Sequence, residues 1–336
     1  MNRFLIVRLG SLGDVIHAIP VAAALRHHFP QAHIDWMVDP RYVELLDLVE
    51  SIDRRIPVDP RELTRGGSRL LSTLKALRAS RYDAVLDLQG LLKSAVLARL
   101  VGATRTIGLP RRHLREPLAR LFYTDAPDPG AAAHVIDKNL ALLAPLGVDD
   151  RRVRFPISFP RTPTVTSVAS RYAPGGYAIV NPGAAWPNKR WPAERFGAVA
   201  AAMHRELGLR SLVLWGPGEQ PLANAVAAAS EGAGEVAPPT SVADLAGIAR
   251  GAKLMISGDT GPLHVAGAAG TPIVAIFGPT QPARNGPWAA GDISISRVEQ
   301  CSCHYERRCR KPVPCIDDIS ADEVIAAVRR RLQVHG

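Results

Sequence analysis

Short apolar runs alternate with stretches of helical periodicity along most of this 336-residue chain. Phe4-Leu5-Ile6-Val7 is a β-rich run ending at Gly10, and Asp14 to His28 then places Val15, Ile19, Ala22, Ala23 and Leu25 at helical spacing. Ile34 to Val38 reads as a strand stopped by Asp39-Pro40, with a helix following through Leu48. Asp83 to Asp87 is another strand, backed by a helix over Leu91–Leu100. The alternation restarts with strands at Tyr177–Asn181, Ser211–Trp215, Lys253–Ser257 and Pro272–Phe277. Helices are expected at Pro192–Leu207, Thr260–Ala269 and Asp322–Leu332. Strands alternating with helices build parallel sheets, so the predicted class is α/β with doubly wound Rossmann-like halves.

The composition changes between Phe155 and Gly176, where Pro156, Pro160, Pro163 and Pro174 fall among Thr and Ser without an acidic residue. Such a stretch predicts a linker. The expected domains are therefore 1–160, 161–320 and a closing helix at 321–336 that packs back on the first domain. Ligands of doubly wound sheets bind at the carboxyl ends of the strands, here expected to face a central cleft.

Hydrophobic residues make up 47% and charged residues 21%, which excludes wholesale disorder. Lys+Arg 41 against Asp+Glu 31 leaves +10, a balance that favours anionic partners. Aromatics are only 5%, and no Lys/Arg run is interleaved with stacking rings, so nucleic acid is not expected as a partner. No stretch reaches the roughly 18–20 apolar residues of a membrane span. Val265 to Phe277 is cut by Gly267, Gly270 and Pro272, while Arg8 and Asp14 interrupt any signal-peptide core. The expected location is cytoplasmic.

Three loops carry candidate chemistry. The first, Arg8-Leu9-Gly10-Ser11-Leu12-Gly13-Asp14, joins a strand to a helix but holds only the final G-x-x-G spacing of a dinucleotide fingerprint. Asp39, ending the second strand, keeps a nicotinamide-dependent oxidoreductase open. Asp14 at the helix start is either an ordinary N-cap or a general base kept ionised by the helix dipole. The second loop runs from Asn181 to Pro192 and presents Lys189 and Arg190, suited to phosphate oxygens or simply solvated. Trp186 and Trp191, each beside a proline, disfavour a floppy loop. The third, Ser257-Gly258-Asp259-Thr260-Gly261-Pro262-Leu263-His264, aims the Thr260 and Gly261 amides of a helix N-terminus at an anion. Asp259 reads either as an N-cap or as a partner of a sugar hydroxyl or cation, and His264 as a core or site residue. A carboxylate on one half and a cationic, amide-rich cradle on the other suit transfer of a sugar from a nucleotide diphosphate.

These loops, with Asp83-Ala84-Val85-Leu86-Asp87-Leu88-Gln89-Gly90, Lys93-Ser94, Arg115-Glu116-Pro117-Leu118 and Phe277-Gly278-Pro279-Thr280, resemble the heptosyltransferases of bacterial lipopolysaccharide synthesis, glycosyltransferase family nine. The Gln89–Ser94 and Arg115–Pro117 pieces are most similar to the type that adds the first heptose to a Kdo–lipid A core. The resemblance implies the two-domain GT-B fold, ADP-heptose as donor, inversion at the anomeric carbon and no required cofactor. It also implies roles: Asp14 as catalytic base, Lys189 on the donor phosphates, Asp259, Thr260, Gly261 and His264 as the donor-binding loop, and Glu219 near the nucleoside. Ser11, Gly13, Lys93, Arg111, Arg112 and Arg115 are the candidates for the acceptor. A nucleotide-sugar epimerase of similar build and a non-catalytic anion-binding protein are the other readings.

Arg111, Arg112, His113, Arg115 and Arg120 form a dense basic cluster, and Arg54, Arg55, Arg61, Arg65 and Arg69 a looser one. As a set they suit an acceptor bearing carboxylates and phosphates on the inner face of the inner membrane, as a peripheral association. Cys301, Cys303, Cys309 and Cys315, beside His304, lack the C-x₂₋₄-C pairing usual for zinc, which leaves zinc and free or reversibly oxidised thiols both open.

Overall fold

The computed structural model describes residues 3–59, 61–62 and 68–333, without the side chains of Ser68 and Arg69. Arg65 and the side chain of Arg69 therefore lie outside the described residues. The chain divides into two units that part between Ser158 and Phe159.

In the first unit the most apolar run, β1 (Arg3–Val7), takes the centre of a parallel sheet. It pairs with β2 (His33–Val38) on one side and β4 (Ala84–Asp87) on the other, Phe4 lying opposite both Ile34 and Ala84. The short strands β3 (Arg54–Pro57) and β5 (Arg105–Ile107) close the edges, giving the order β3-β2-β1-β4-β5. Leu5, Val7, Val85 and Leu97 pack together on one face of this sheet, with Leu77 from the helix Ser68–Ala79.

The second unit repeats the plan with six parallel strands: β6 (Tyr177–Asn181), β7 (Arg210–Val213), β8 (Gly234–Val236), β9 (Leu254–Gly258), β10 (Ile273–Phe277) and β11 (Ile293–Ser296). Their order is β11-β10-β9-β6-β7-β8. β6, β9 and β10 are buried along their whole length, which requires helices on both faces. The helix Ala193–Leu207 covers one face, and Trp191 and Phe196 meet edge to face there with ring centroids 4.9 Å apart.

Three expectations change. The helix over Asp14–His28 is two, Leu12–Ile16 and Ile19–His28, because Pro20 has no N–H to continue the first ladder and instead opens the second helix. The proline-rich stretch is not a bare linker: it contains the helix Pro163–Arg171, capped by Thr162 Oγ1 accepting from the Val165 N–H at 3.1 Å. The closing helix, Ala321–Gln333, belongs to the second unit and is not a separate piece. Its Val324, Ala327 and Val328 join that unit's core, and Arg329 reaches Glu206 at 2.8 Å.

Candidate active site

The first loop leaves β1 at Arg8. Ser11 takes the N-cap position of the helix Leu12–Ile16, and Asp14 is its third residue rather than its cap. The backbone N–H and hydroxyl of Ser11 donate to Asp14 Oδ2 at 3.0 and 3.1 Å, while the buried Arg8 guanidinium meets Oδ1 at 2.5 Å. Burial acts to raise the Asp14 pKa, but the Arg8 charge and the Ser11 hydrogen bonds outweigh it and hold the carboxyl below its ordinary value. Three donors thus occupy three of the about four acceptor positions of a carboxylate. With its side chain 38% exposed, Asp14 keeps room for one more proton donor. Gly13 is buried in the same turn.

That turn is braced from β4. Gln89 Oε1 accepts from the Leu9 and Gly10 N–H groups at 3.1 and 3.3 Å. Gln89 is itself fixed by buried Asp87, whose Oδ1 accepts from the Gln89 and Gly90 N–H groups and whose Oδ2 accepts from Tyr123 and Ser94 hydroxyls at 2.7 and 2.9 Å. Burial is the dominant influence on Asp87 and raises its pKa. Sequence reasoning did not assign Gln89, Asp87 or Arg8 to this side of the site, although all three stand in its candidate motifs. The signal for Asp87 and Gln89 was two polar residues, either side of Leu88, closing the apolar run Ala84–Leu86.

Four strand ends of the second unit carry the other candidates. Lys189 ends the short turn Pro187–Lys189 after β6, and Asp259 follows β9. Lys189 Nζ donates to Asp259 Oδ2 at 2.5 Å and lies 4.6 Å from the Trp186 ring centroid. Asp259 also accepts from Thr280 Oγ1 at 2.7 Å and Asn285 Nδ2 at 2.9 Å, and His264 Nε2 stands 3.4 Å from its Oδ1. Burial works against the charge on Asp259, yet the His264 contact and the Lys189 ammonium prevail and hold its carboxyl far below the usual range. Asp259 is therefore the anchor of a cation, not an N-cap.

Thr260 occupies the N-cap position of the helix Gly261–Ala269, but its side chain does not cap the helix. The hydroxyl instead accepts from Asn181 Nδ2 at 3.0 Å and lies 3.2 Å from Ser257 Oγ. A helix N-terminus left without a side-chain cap, beside a lysine, is suited to anionic oxygens. Glycine is needed at two neighbouring positions. A Cβ on Gly258 would stand 3.0 Å from the Lys189 carbonyl oxygen, and one on Gly278 3.0 Å from that of Asn188.

Glu219 precedes the helix Gln220–Ala228, its Oε2 accepting from the Gly216 N–H at 3.1 Å. Arg190 comes within 3.9 Å of Oε1 and donates from Nε to the Ala184 carbonyl at 2.8 Å, so it is not simply solvated. Lys189, Asp259, Thr260, Gly261, His264 and Glu219 thus share one sheet edge.

Lys93, Arg111, Arg112 and Arg115 are all exposed in the first unit. Lys93 lies on the helix Leu92–Leu100 and Arg112 pairs with Asp128. The looser basic cluster is not a free surface: Arg54 pairs with Asp35, Arg55 with Asp47 and Arg61 with Asp59. Cys301, Cys303 and Cys315 are buried together with Cys309 against them, all as free thiols. Among the described residues no group of three or more His, Cys, Asp or Glu stands at metal-holding geometry.

Two parallel Rossmann-like sheets, with a lysine–aspartate pair and an uncapped helix at the carboxyl edge of the second, are the build of the GT-B fold class. Residues 70–313 match the family described as glycosyltransferase family 9 (heptosyltransferase). Lipopolysaccharide heptosyltransferase 1 of Pseudomonas aeruginosa is 31% identical over 324 residues, covering 91% of this chain and 87% of that protein. The solved glycosyl transferase family 9 protein of Veillonella parvula is 27% identical with a TM-score of 0.80, over 99% of this chain and 97% of the other. The Escherichia coli heptosyltransferase WaaC solved with ADP is 25% identical with a TM-score of 0.77, over 98% and 99%. The chain belongs to glycosyltransferase family 9, the heptosyltransferases. The epimerase alternative is left with only a distant likeness of fold.

Proposed function

We propose that this protein is an inverting transferase that moves heptose from ADP-heptose to the Kdo–lipid A inner core of lipopolysaccharide. The observation that carries the reading is the Lys189 ammonium, fixed by buried Asp259 beside the uncapped N-terminus of the helix Gly261–Ala269. An ammonium and backbone amides in fixed positions stabilise the charge that develops on a departing diphosphate. The donor is further supported by the WaaC relative solved with ADP, and the acceptor by the name of the Pseudomonas relative. Glu219 is assigned to the nucleoside, and Thr260, Gly261 and His264 to the donor side with Lys189.

In this reading Asp14 takes the proton of the acceptor hydroxyl as that oxygen attacks C1 of the heptose. ADP leaves from the opposite face through an oxocarbenium-like transition state, so configuration inverts. Ser11 and Gly13 shape the acceptor side of the loop. Since Lys189 and amides supply the neutralising charge, the reaction needs no divalent cation, and transfer rates should be unchanged by EDTA. Incubation with ADP-heptose, or UDP-sugars as controls, and a panel of truncated lipid A cores, read by mass spectrometry, tests the assignment. A mass gain of one heptose on the Kdo-bearing core is expected, and its absence with every core refutes the reading.

A peripheral membrane association is part of this reading, and the surface around the dense basic cluster supports it. No helix among the described residues is long and apolar enough to cross a membrane. However, Leu118 and Leu121 on the segment Pro117–Phe122 are 61% and 79% exposed, close in sequence to exposed Arg111, Arg112 and Arg115. Basic groups beside apolar side chains suit the anionic inner leaflet that carries the acceptor. Lys93 and these arginines are assigned to its carboxylates and phosphates. Binding to anionic vesicles should fall steeply from low to high salt, and salt-independent binding would remove the electrostatic part.

A further inference from the structure

The cysteine-bearing segment after β11 has no part in the transfer chemistry, yet it meets the donor cradle from two sides. On one side Asn188, adjacent to Lys189 and buried, donates from Nδ2 to the Glu306 carbonyl at 3.0 Å, with Cys303 Sγ at 3.9 Å. On the other, the Tyr305 N–H donates to the Pro279 carbonyl at 3.2 Å, one residue before Thr280, which holds Asp259. The segment is itself pinned from within. Cys301 and Cys303 sulfurs lie 3.5 Å apart, the Cys303 N–H points at Cys301 Sγ at 3.4 Å, and Glu306 N–H closes a turn onto the Cys303 carbonyl at 3.1 Å. Tyr305 adopts φ +58, a left-handed conformation that a bulky residue takes only where its surroundings demand it. Asn188 Oδ1 is buried with no hydrogen-bond partner, so its amide group is retained at a cost by its donor side alone.

We propose that Asn188 is a positioning residue for Lys189, and that the thiol-pinned turn Cys303–Glu306 is the fixed base to which it is anchored. Lys189 has a flexible four-carbon stem, so the position of its ammonium depends on where its backbone is held. Asn188 ties that backbone to the Glu306 carbonyl, and the same short segment, through the Tyr305 N–H on the Pro279 carbonyl, holds the loop whose Thr280 orients Asp259. One platform therefore sets the spacing between the cation and its counter-ion. This inference rests on the reading of Lys189 as the donor-phosphate cation.

The experiment is a double-mutant cycle on nucleotide affinity, with ADP and adenosine titrated calorimetrically into the full chain. Asn188→Ala should weaken ADP about tenfold, the scale of one misplaced charge-assisted hydrogen bond, while adenosine affinity holds. In a Lys189→Ala background the same change should produce no further loss of ADP. Equal losses of ADP and adenosine, an undiminished loss in the Lys189→Ala background, or unchanged ADP affinity would each overturn the proposal. Should Asn188→Ala not fold, Cys303→Ala strips the thiol that faces both the Asn188 amide and Cys301, loosening the turn from the other side, and must reproduce the loss of ADP over adenosine. If Lys189→Ala alone leaves ADP affinity untouched, the donor reading itself fails and takes this inference with it. An ADP-specific loss in Lys189→Ala without one in Asn188→Ala removes only the platform.

Discussion

Asp259→Asn isolates the electrostatic centre of the donor cradle without changing its volume. In the native site the Asp259 side chain is 4% exposed and Lys189 14% exposed, so water screens the pair little. Oδ2 accepts from Lys189 and Thr280, and Oδ1 accepts from Asn285 with His264 close by. An asparagine has one acceptor oxygen. Whichever way its amide is turned, an NH₂ group confronts donors on one side, and Lys189 loses its counter-ion. Removing one partner of a buried ion pair costs about 3–5 kcal/mol, because the remaining charge is left uncompensated. Lys189 is close enough to the surface to relax outward, so the lower figure applies. For a domain of this size about 3 kcal/mol lowers Tm by roughly 6–12 °C, which scanning calorimetry at neutral pH resolves easily. The pH dependence follows from the depressed carboxyl. Its contribution is complete above the unfolded-state pKa, about 3.9, and is lost as pH falls toward the folded-state value. The Tm difference between the two proteins should thus be constant from about pH 5 upward and shrink in acid. A Tm loss under about 2 °C at pH 7, or a difference that grows in acid, would refute the argument that the two charges form a buried pair in which each compensates the other.

Three further outcomes are expected. Asp14→Asn should lower kcat by about 10²–10⁴ while ADP affinity stays unchanged, since the lost group acts only on the acceptor proton; near-normal turnover would remove Asp14 from the mechanism. Arg8→Met takes away the charge that keeps Asp14 ionised, so the acid limb of the kcat/KM–pH profile should move to higher pH. A limb that stays in place would detach Asp14 from that limb. Gly183→Ala would drive a Cβ into Glu219 Oε2, which is the tip of a side chain and can swing away. Adenosine affinity should therefore fall severalfold with little change in Tm, and unaltered nucleotide binding would relieve Glu219 of its nucleoside role.

The sheets were legible in the sequence in proportion to burial. Among the described residues all seven interior strands were found as apolar runs, whereas β3, β5, β8 and β11 were missed, and these four are the sheet edges. An edge strand such as Gly234–Val236 is short and half-buried throughout, so it lacks the continuous apolar run that marks a central one. The glycine loops could be read because turns are encoded locally. The side chains that hold them could not: Gln89 braces Leu9 and Gly10 from about eighty positions away, and Thr280 and Asn285 reach Asp259 across more than twenty. The helix Pro163–Arg171 did have a local signal, Thr162 followed by Pro163, but four prolines among Ser and Thr outweighed it.

That small helix decides where the second half can be excised for separate expression. Composition invites a start near Gly176, yet such a fragment would lack Val165, which lies against Gly247, and Thr162, whose hydroxyl donates to Asp244. It would also lose Phe159, over which the Arg250 guanidinium rests. A fragment opening at Phe159 keeps all three, whereas one opening after the prolines exposes a flank of the helix Val242–Gly251 and should precipitate.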